Sequence, residues 1–131
     1  AVRIDHFRGL ESSWMIDATE AGAMHGHWQT VPGAALLETV RKELGSLPLV
    51  AENLGTITPE VEALRQQFNL PGMAVLQFAW DGSLDNPHLP HNIQADCVAY
   101  TGTHDNDTTL GWFESLVPEI QHKIMQHMGI T

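Results

Sequence analysis

The chain has little of what stabilises small secreted domains or anchors proteins in membranes. Its 131 residues include one cysteine, Cys97, which excludes an internal disulfide framework. No apolar run approaches the roughly 20 residues that a membrane-spanning helix needs. No secretion signal is visible in these residues, and there is no internal repeat or low-complexity tract. Low cysteine usage favours a reducing compartment, so we expect a cytoplasmic location.

Basic residues are also scarce. Six Lys and Arg residues stand against 16 Asp and Glu residues, giving a net charge of −10. Such a chain repels the phosphates of nucleic acids and the surface of anionic membranes. We therefore expect neither nucleic acid nor membrane as a partner, and a neutral substrate fits better.

Sequence patterns for cofactor and metal sites are missing. The glycines have the spacing of neither a dinucleotide loop nor a nucleoside triphosphate loop. The eight histidines include two close pairs, but no carboxylate or thiolate stands at a useful spacing from either. We therefore expect no cofactor and no metal. The pairs are His25 with His27 and His88 with His91.

Short apolar runs alternate with helical patterns along the chain. The runs predict buried strands, and their alternation with helices predicts a parallel α/β sheet. One helix is predicted over residues 34–44, ending at Gly45, and a second over residues 59–69, with Thr58 as N-cap. A third follows the last strand and carries a core-facing apolar stripe (Ile120, Ile124, Met125, Met128). The strands are predicted at 1–5, 47–51, 73–79 and 97–101.

Two connections are longer than usual. Residues 9–32 follow the first strand, and residues 80–95 follow the third. Long loops inside compact domains are usually functional. We expect both on the face that carries the active site.

Three acidic residues stand where predicted strands end: Asp5, Glu52 and Asp105. In (β/α) barrels, catalytic groups come from the carboxyl ends of several strands. Retaining glycoside chemistry needs one carboxylate as nucleophile and one carboxylic acid as proton donor. The placement of the three acids therefore indicates a glycosidase-type site.

The motifs around these acids resemble the amylomaltases, the 4-α-glucanotransferases of glycoside hydrolase family 77. The resemblance runs almost end to end, and several long motifs in one order are more specific than any one of them. The motifs around the acids are residues 3–9 (RIDHFRG), 51–55 (AENLG) and 101–108 (TGTHDNDT). Others are residues 26–28 (GHW), 57–61 (ITPEV), 71–73 (PGM), 86–92 (NPHLPHN) and 109–112 (TLGW).

The resemblance implies a (β/α)8 TIM barrel of which residues 1–131 form only part. The four predicted strands look like barrel strands four to seven, with their helices and loops. The chain lacks an initiator Met, and Asp5 follows a strand with almost no lead-in, so a fragment is expected. We find no domain boundary in the sequence. Open strand edges would favour self-association of the isolated chain.

The resemblance also implies roles for the acids. Asp5 would be the nucleophile, with Arg3 on the same strand face keeping it ionised. Glu52 would be the general acid and base, kept protonated by burial and by the nearby charge of Asp5. A surface Asp paired with Arg3 or Arg8, and an exposed or helix-capping Glu52, are the alternatives.

Asp105 resembles the family's third acid, which binds ring hydroxyls of the distorted sugar. His104 would donate a hydrogen bond to the same glucosyl unit. A His-Asp dipeptide also occurs in metal-dependent phosphohydrolases, but those sites need further histidines on helices. Asn53 departs from the Asp often found after the family's catalytic glutamate, and it alters only the local charge.

Aromatic side chains can stack on the apolar faces of sugars. Trp80 and Asp81, directly after a predicted strand, are the best candidates for substrate contact. Trp14, Trp28 and Trp112 are further candidates. Each of the four tryptophans, Trp80 included, could equally pack in the core, and we expect Trp112 to pack beneath the site.

The resemblance therefore implies an enzyme that transfers α-1,4-glucan segments to the 4-hydroxyl of glucose or a maltooligosaccharide, as in maltodextrin, starch or glycogen metabolism. Two alternatives stay open. One is a hydrolase of the α-amylase clan, which uses the same acids within different motifs. The other is an inactive fragment or sugar-binding remnant, because substrate contacts from upstream strands would be missing.

Overall fold

The computed structural model describes residues 1–130, which fold as two compact units. The first unit spans Ala1–Met73 and the second begins at Ala74. The strands are β1 (Val2–Ile4), β2 (Ser12–Ile16), β3 (Gly26–Thr30), β4 (Leu49–Ala51), β5 (Gly72–Val75) and β6 (Cys97–Tyr100). The α-helices are α1 (Gly33–Leu44), α2 (Pro59–Gln67), α3 (Thr109–Ser115) and α4 (Pro118–His127).

A parallel strand pair, β1 with β4, lies at the centre of the first unit. Val2 pairs with Leu49, and Ile4 pairs with Ala51. Val50 and Ala51 are buried, as expected for a strand covered on both faces. The predicted strands over residues 1–5 and 47–51 are confirmed, each slightly shorter than predicted.

The first two predicted helices are also confirmed. Gly45 ends α1 in the left-handed conformation with a φ of 71°, which glycine adopts without steric cost. Thr58 caps α2 by accepting a hydrogen bond from the N–H of Val61. In α1, Leu37 is buried, whereas Leu44 at the end of the helix is 65% exposed.

The core of the first unit lies directly beside the predicted acids. Phe7 and Ala51 are fully buried, and each lies within two residues of Asp5 or Glu52. Burial of these neighbours fixes the backbone that carries the two carboxylates. The core cluster consists of Phe7, Leu37, Ala51, Val61, Phe68 and Leu70.

The long segment 9–32 contains a β-hairpin that the sequence did not predict. β2 and β3 are antiparallel, with Trp14 opposite Trp28. Every residue of β3 is exposed, so burial leaves no pattern of alternation to detect. The hairpin is stabilised instead by its backbone ladder and by cross-strand side-chain pairs.

The second unit contains β6, which pairs with β5. The boundary between the units falls within β5, after Met73. The predicted strands over 73–79 and 97–101 are confirmed in position, although the first ends at Val75 and continues as a 3-10 helix, Leu76–Phe78. Residues 80–95 contain neither strand nor α-helix, as predicted.

The single C-terminal helix of the sequence prediction is wrong. Two helices form there, α3 and α4, and the break falls just before Pro118. Proline disfavours helical conformation in the residue before it, and it fits well at the first position of a new helix. The apolar stripe of α4 is inward-facing only in part: Ile124 is buried, whereas Met128 is 47% exposed.

Over residues 1–130, no helix combines the length and apolar character required to cross a bilayer. The strands form three two-stranded sheets, β1–β4, β2–β3 and β5–β6. The architecture is α/β, and the assignment to barrel strands four to seven remains a prediction.

Candidate active site

Asp5 lies immediately after β1 and forms an ion pair with Arg3. Arg3 Nη2 is 2.7 Å from Asp5 Oδ1, and the Asp5 side chain is 70% exposed. Residues two apart on a strand face the same side, which places the guanidinium beside the carboxylate. This pair fits both the predicted nucleophile and the alternative of a surface Asp paired with Arg3. Its catalytic purpose remains a prediction.

Glu52 lies immediately after β4, at the same level as Asp5. The last paired rung joins Ile4 to Ala51, so the next residue on each strand is one of the predicted acids. The N–H of Glu52 donates to the carbonyl of Ile4 over 2.9 Å, and the N–H of Phe7 donates to the carbonyl of Glu52 over 3.0 Å. The parallel pairing therefore continues past both acids and holds them together.

Two backbone N–H groups hold the Glu52 side chain itself. His6 N donates to Glu52 Oε2 over 2.6 Å, and Leu54 N donates to Glu52 Oε1 over 3.0 Å. Each carboxylate oxygen thus has one fixed donor, and Glu52 is half-buried. Glu52 is therefore not a fully exposed side chain, and its catalytic role remains a prediction.

The N–H of His6 points at Glu52 because His6 has an uncommon backbone conformation. Its φ is 48° and its ψ 54°, in the left-handed region that His visits more often than most residues. This conformation lets the chain turn after Asp5 while the N–H of His6 donates to Glu52. The sequence gives no sign of this role, because the donor is a backbone N–H, which every residue except proline carries.

Asn53 connects the Glu52 loop to the start of β5. Its Oδ1 accepts the N–H of Met73 over 2.8 Å. A Cβ on Gly72 would lie 2.8 Å from the Asn53 side-chain amide, so glycine is required for this approach. The Asn53 amide supplies the acceptor oxygen for this bond. The sequence marks Asn53 only as the residue that follows the predicted acid Glu52.

Asp105 and His104 lie in the second unit, in the turn after β6. The N–H of Asp105 donates to Thr103 Oγ1 over 3.2 Å, and the N–H of Thr103 donates to Asn106 Oδ1 over 2.8 Å. His104 Nε2 is 3.4 Å from Asp105 Oδ1, and the two side chains are 67% and 76% exposed. The turn fixes their backbone while leaving both side chains open to solvent.

Trp80 and Asp81 line a cavity of about 360 Å³ in the second unit. The Trp80 ring stands edge-to-face with His127, with centroids 5.4 Å apart. A hydrogen bond from the Asn86 side chain, and another from the N–H of Ser83, lower the pKa of the Asp81 carboxyl. The cavity therefore presents an aromatic ring and a well-ionised carboxylate. Leu84, Leu89 and His91 are among its other lining residues.

The other tryptophans occupy different environments. Trp14 and Trp28 are 38% and 53% exposed, so neither is a core residue of the first unit. Their rings meet edge-to-face at 5.4 Å, and the Arg8 guanidinium lies 4.0 Å above the Trp28 ring. Trp112 is half-buried beside Phe113 in α3. Its place beneath the catalytic site remains a prediction.

Across the described residues, 1–130, no group of three or more His, Cys, Asp or Glu side chains could hold a metal ion. His25 and His27 belong to the hairpin region, and His88 accepts the N–H of Val75 through Nδ1 over 3.2 Å. His88 thus has a backbone partner.

Comparison with known proteins adds an independent line of evidence. The family of 4-alpha-glucanotransferases, glycoside hydrolase family 77, matches residues 1–129. The 4-alpha-glucanotransferase of Thermus thermophilus is 56% identical over 99% of this chain and 27% of its own length. The chloroplastic/amyloplastic enzyme of Arabidopsis thaliana is 47% identical over 98% of this chain and 22% of its own length.

A solved structure agrees with these relatives. An amylomaltase from Streptococcus agalactiae, in complex with acarbose, superposes with a TM-score of 0.86 at 38% identity. The match covers 98% of this chain and 26% of that one. The chain thus spans about a quarter of the length of the relatives it matches. With the strand-end acids in place and the family match extending over nearly every residue, the chain belongs to the 4-alpha-glucanotransferases of glycoside hydrolase family 77.

Proposed function

We propose that the chain provides the catalytic acids for transfer of α-1,4-glucan segments to the 4-hydroxyl of an acceptor glucose or maltooligosaccharide. The parallel register that ends in Asp5 and Glu52, with the Glu52 carboxylate held by two N–H groups, carries the proposal. The family match supports the same chemistry. The proposal concerns the longer enzyme to which such a segment belongs.

Asp5 attacks the anomeric carbon of the donor, and its bond to that carbon replaces the glycosidic bond. Glu52 gives a proton to the departing oxygen, so the leaving sugar departs as a neutral alcohol. Glu52 then removes the proton from the acceptor 4-hydroxyl, whose oxygen displaces Asp5. For this retaining route we expect oxygens of Asp5 and Glu52 to lie roughly 5–5.5 Å apart in the enzyme–substrate complex.

The remaining predicted residues position the sugar. Asp105 accepts hydrogen bonds from ring hydroxyls, and His104 donates one to the same glucosyl unit. Asp81 and Trp80 offer a carboxylate and an aromatic ring to a neighbouring glucosyl unit, which suits the mixed polar and apolar faces of glucose. Arg3 pairs with the Asp5 carboxylate and orients it. We expect no cofactor.

We place the chain in a (β/α)8 barrel as one continuous part of the catalytic domain, covering strands four to seven. The parallel β1–β4 pair and the acids at strand ends support this placement. The exposed edges of such a partial sheet would favour self-association of the isolated chain. Sedimentation velocity across a range of concentrations tests this expectation, and a concentration-independent monomer would contradict it.

We expect a cytoplasmic location in a bacterium, consistent with low cysteine usage. The Arabidopsis relative is named chloroplastic/amyloplastic, which makes a plastid the alternative.

The first test is incubation of the chain with maltotriose, followed by chromatography of the products. We expect little or no product from the isolated chain, because catalysis needs groups held to a fraction of an ångström and much of a full-length relative is not in this sequence. Robust turnover by purified monomer would contradict this expectation. An inactive chain leaves the chemistry to be tested in a longer protein.

The second test uses a longer protein that contains this chain. Residues 1–129 replace the matching segment of the Thermus thermophilus enzyme, and the chimera is assayed with maltotriose. We expect glucose together with maltooligosaccharides longer than maltotriose, and loss of both in Asp5→Asn and Glu52→Gln variants. An inactive chimera that is folded would overturn the proposal.

The maltotriose assay separates the proposal from hydrolysis, and acarbose binding separates it from a sugar-binding remnant. A hydrolase of the α-amylase clan would release shorter sugars without forming longer ones. A sugar-binding remnant would bind acarbose without turnover, and Asp5→Asn would leave that binding intact.

A further inference from the structure

Two backbone N–H groups form a cradle around the Glu52 carboxylate. His6 N donates to Glu52 Oε2 over 2.6 Å, and Leu54 N donates to Glu52 Oε1 over 3.0 Å. The two donors, which we call the Glu52 cradle, come from different segments, one after β1 and the other after β4. Glu52 is half-buried, which limits the water that could replace them. Each carboxylate oxygen therefore meets a donor whose position the backbone sets.

The His6 donor depends on a backbone conformation that costs free energy. Its φ is 48°, and over residues 1–130 Asn69, with a φ of 53°, is the other non-glycine residue with a positive φ. Such conformations persist only where the surrounding structure imposes them, and they are common at functional sites. Here the next residue, Phe7, is fully buried, and its N–H donates to the Glu52 carbonyl over 3.0 Å. Two successive N–H groups thus point at Glu52.

The cradle stabilises negative charge, which a general acid acquires when it gives up its proton. In the donor step Glu52 passes its proton to the glycosidic oxygen and keeps the electron pair of its O–H bond, while Asp5 bonds to the sugar and loses its own charge. Fixed N–H groups placed where charge develops lower the barrier of such a step. A carboxylate has about four acceptor sites, so two donors leave room for the proton and the sugar.

We propose that the Glu52 cradle stabilises the charge that develops on the general acid, and that His6 is a positioning residue whose backbone supplies one of the two donors. The inference rests on the proposed function for the role of Glu52 as acid and base. It gives the two half-reactions opposite responses. In the donor step the cradle lowers the barrier. In the acceptor step Glu52 begins as a carboxylate and takes up a proton, so the same two hydrogen bonds weaken and raise the barrier.

The first experiment uses the chain itself and needs no activity. The amide proton shifts of His6 and Leu54 are followed by NMR over a pH titration. An N–H that donates to a carboxylate forms a weaker hydrogen bond once the carboxylate is neutralised, so both protons should move upfield in one common transition. Glu52→Gln should abolish this transition, whereas Asp5→Asn, which removes a neighbouring carboxylate, should retain it. Amide protons that do not respond would overturn the proposal.

Three variants separate the backbone of His6 from its side chain. His6→Val opposes the positive φ, because β-branched residues avoid that conformation. His6→Asn removes the imidazole as well, but asparagine adopts a positive φ readily. A difference between these two variants therefore reports the backbone. Asn69→Val imposes the same backbone cost where the N–H donates to the Gln66 carbonyl, and it controls for lost stability.

The second experiment measures the donor step in the chimera that contains residues 1–129, at its pH of maximum activity. His6→Val should lower kcat/KM for maltotriose as donor about tenfold, as expected for a lost hydrogen bond to a partly developed charge, and His6→Asn should restore most of it. Fluoride departs without a proton, so with α-maltosyl fluoride as donor the loss should stay below about threefold. Asn69→Val should lower Tm and leave both values within about twofold. Equal losses with both donors would overturn the proposal.

The acceptor step distinguishes charge stabilisation from displacement of Glu52. With α-maltosyl fluoride as donor, kcat/KM for glucose as acceptor reports the attack of the 4-hydroxyl. His6→Val should leave this value unchanged or raise it, because the carboxylate that takes up the proton is then less stabilised. A fall in both steps would mean that Glu52 is displaced, and it would overturn the proposal. Failure of the proposed function is distinguishable, because the chimera would then form no longer sugars with His6 in place.

Discussion

The two long connections of this chain are held in opposite ways. Residues 12–30 form a hairpin whose backbone groups pair with one another, although every residue of β3 is exposed. Residues 80–95 have no such ladder. Besides a few backbone turns, such as Leu89 N–H to the Asn86 carbonyl, they are held by side-chain amides: Asn86 bonds the Phe78 carbonyl and the His88 N–H, and Asn92 bonds the Leu84 and Asn86 carbonyls. A segment held by its own backbone should tolerate side-chain changes, whereas one held by buried amides should not.

The largest expected effect is in the loop. Asn86→Leu keeps the size of the side chain but removes partners of the Phe78 carbonyl and the His88 N–H. We expect a loss of about 2–3 kcal/mol in the free energy of unfolding, measured with urea. Gln94→Leu is the control, since its exposed amide makes one hydrogen bond to the Asn92 carbonyl, and it should cost less than about 0.5 kcal/mol. Equal losses would remove the distinction between buried and exposed amides.

The next largest loss of stability is expected where the backbones of the two hairpin strands approach each other. A Cβ on Gly26 would lie 2.5 Å from the Met15 carbonyl and 2.7 Å from the Trp14 ring. Gly26→Ala should therefore separate the strands at this point, at a cost of about 1–3 kcal/mol, visible in amide exchange of β2. Gly22→Ala is the matched control, because nothing lies within 4 Å of its Cβ. Retained exchange protection in Gly26→Ala would contradict the close approach.

A side-chain change in the hairpin should cost less. Trp28→Leu removes the edge contact with Trp14 and the cation–π contact with Arg8. Each is worth about 0.5–1 kcal/mol at an exposed site, so we expect a loss of about 1 kcal/mol in urea unfolding. If Trp28→Leu lowered the free energy of unfolding more than Asn86→Leu does, the loop would not be the more sensitive of the two segments.

The smallest effect is a pH dependence in the loop. Partial burial lowers the pKa of His88, and the Asp81 charge opposes this only in part. The unfolded chain then binds the proton more readily than the folded one, so stability is complete above the ordinary His pKa of about 6.5 and is lost as pH falls below it. His88→Gln should flatten the decline of the free energy of unfolding below pH 6.5. If the free energy of unfolding fell equally with pH in His88→Gln and in the unchanged chain, His88 would not cause the decline.

Local sequence signals predicted most of the regular structure. Thr58, Pro59 and Gly45 marked helix ends because capping and left-handed glycine are local effects. The hairpin was missed because β3 is wholly exposed and most of β2 is also exposed, so the strands show no burial pattern. The break before Pro118 was missed because the predicted apolar stripe begins at Ile120, after the break, and gives no sign of a separate helix upstream. The motifs located the acids, but they gave no sign of His6, whose contribution is a backbone N–H.

The sequence by itself determined the family, the α/β class, the acids at strand ends, the end of α1 and the start of α2, since each depends on residue type and short-range spacing. Only the tertiary structure decided that Ile4 pairs with Ala51, that His6 and Leu54 donate to Glu52, and that Asn86 joins Phe78 and His88. These contacts join residues whose partners are chosen by strand register and loop closure. Local propensity cannot encode such choices, because many partners with the same hydrogen-bonding groups are available until the chain is packed.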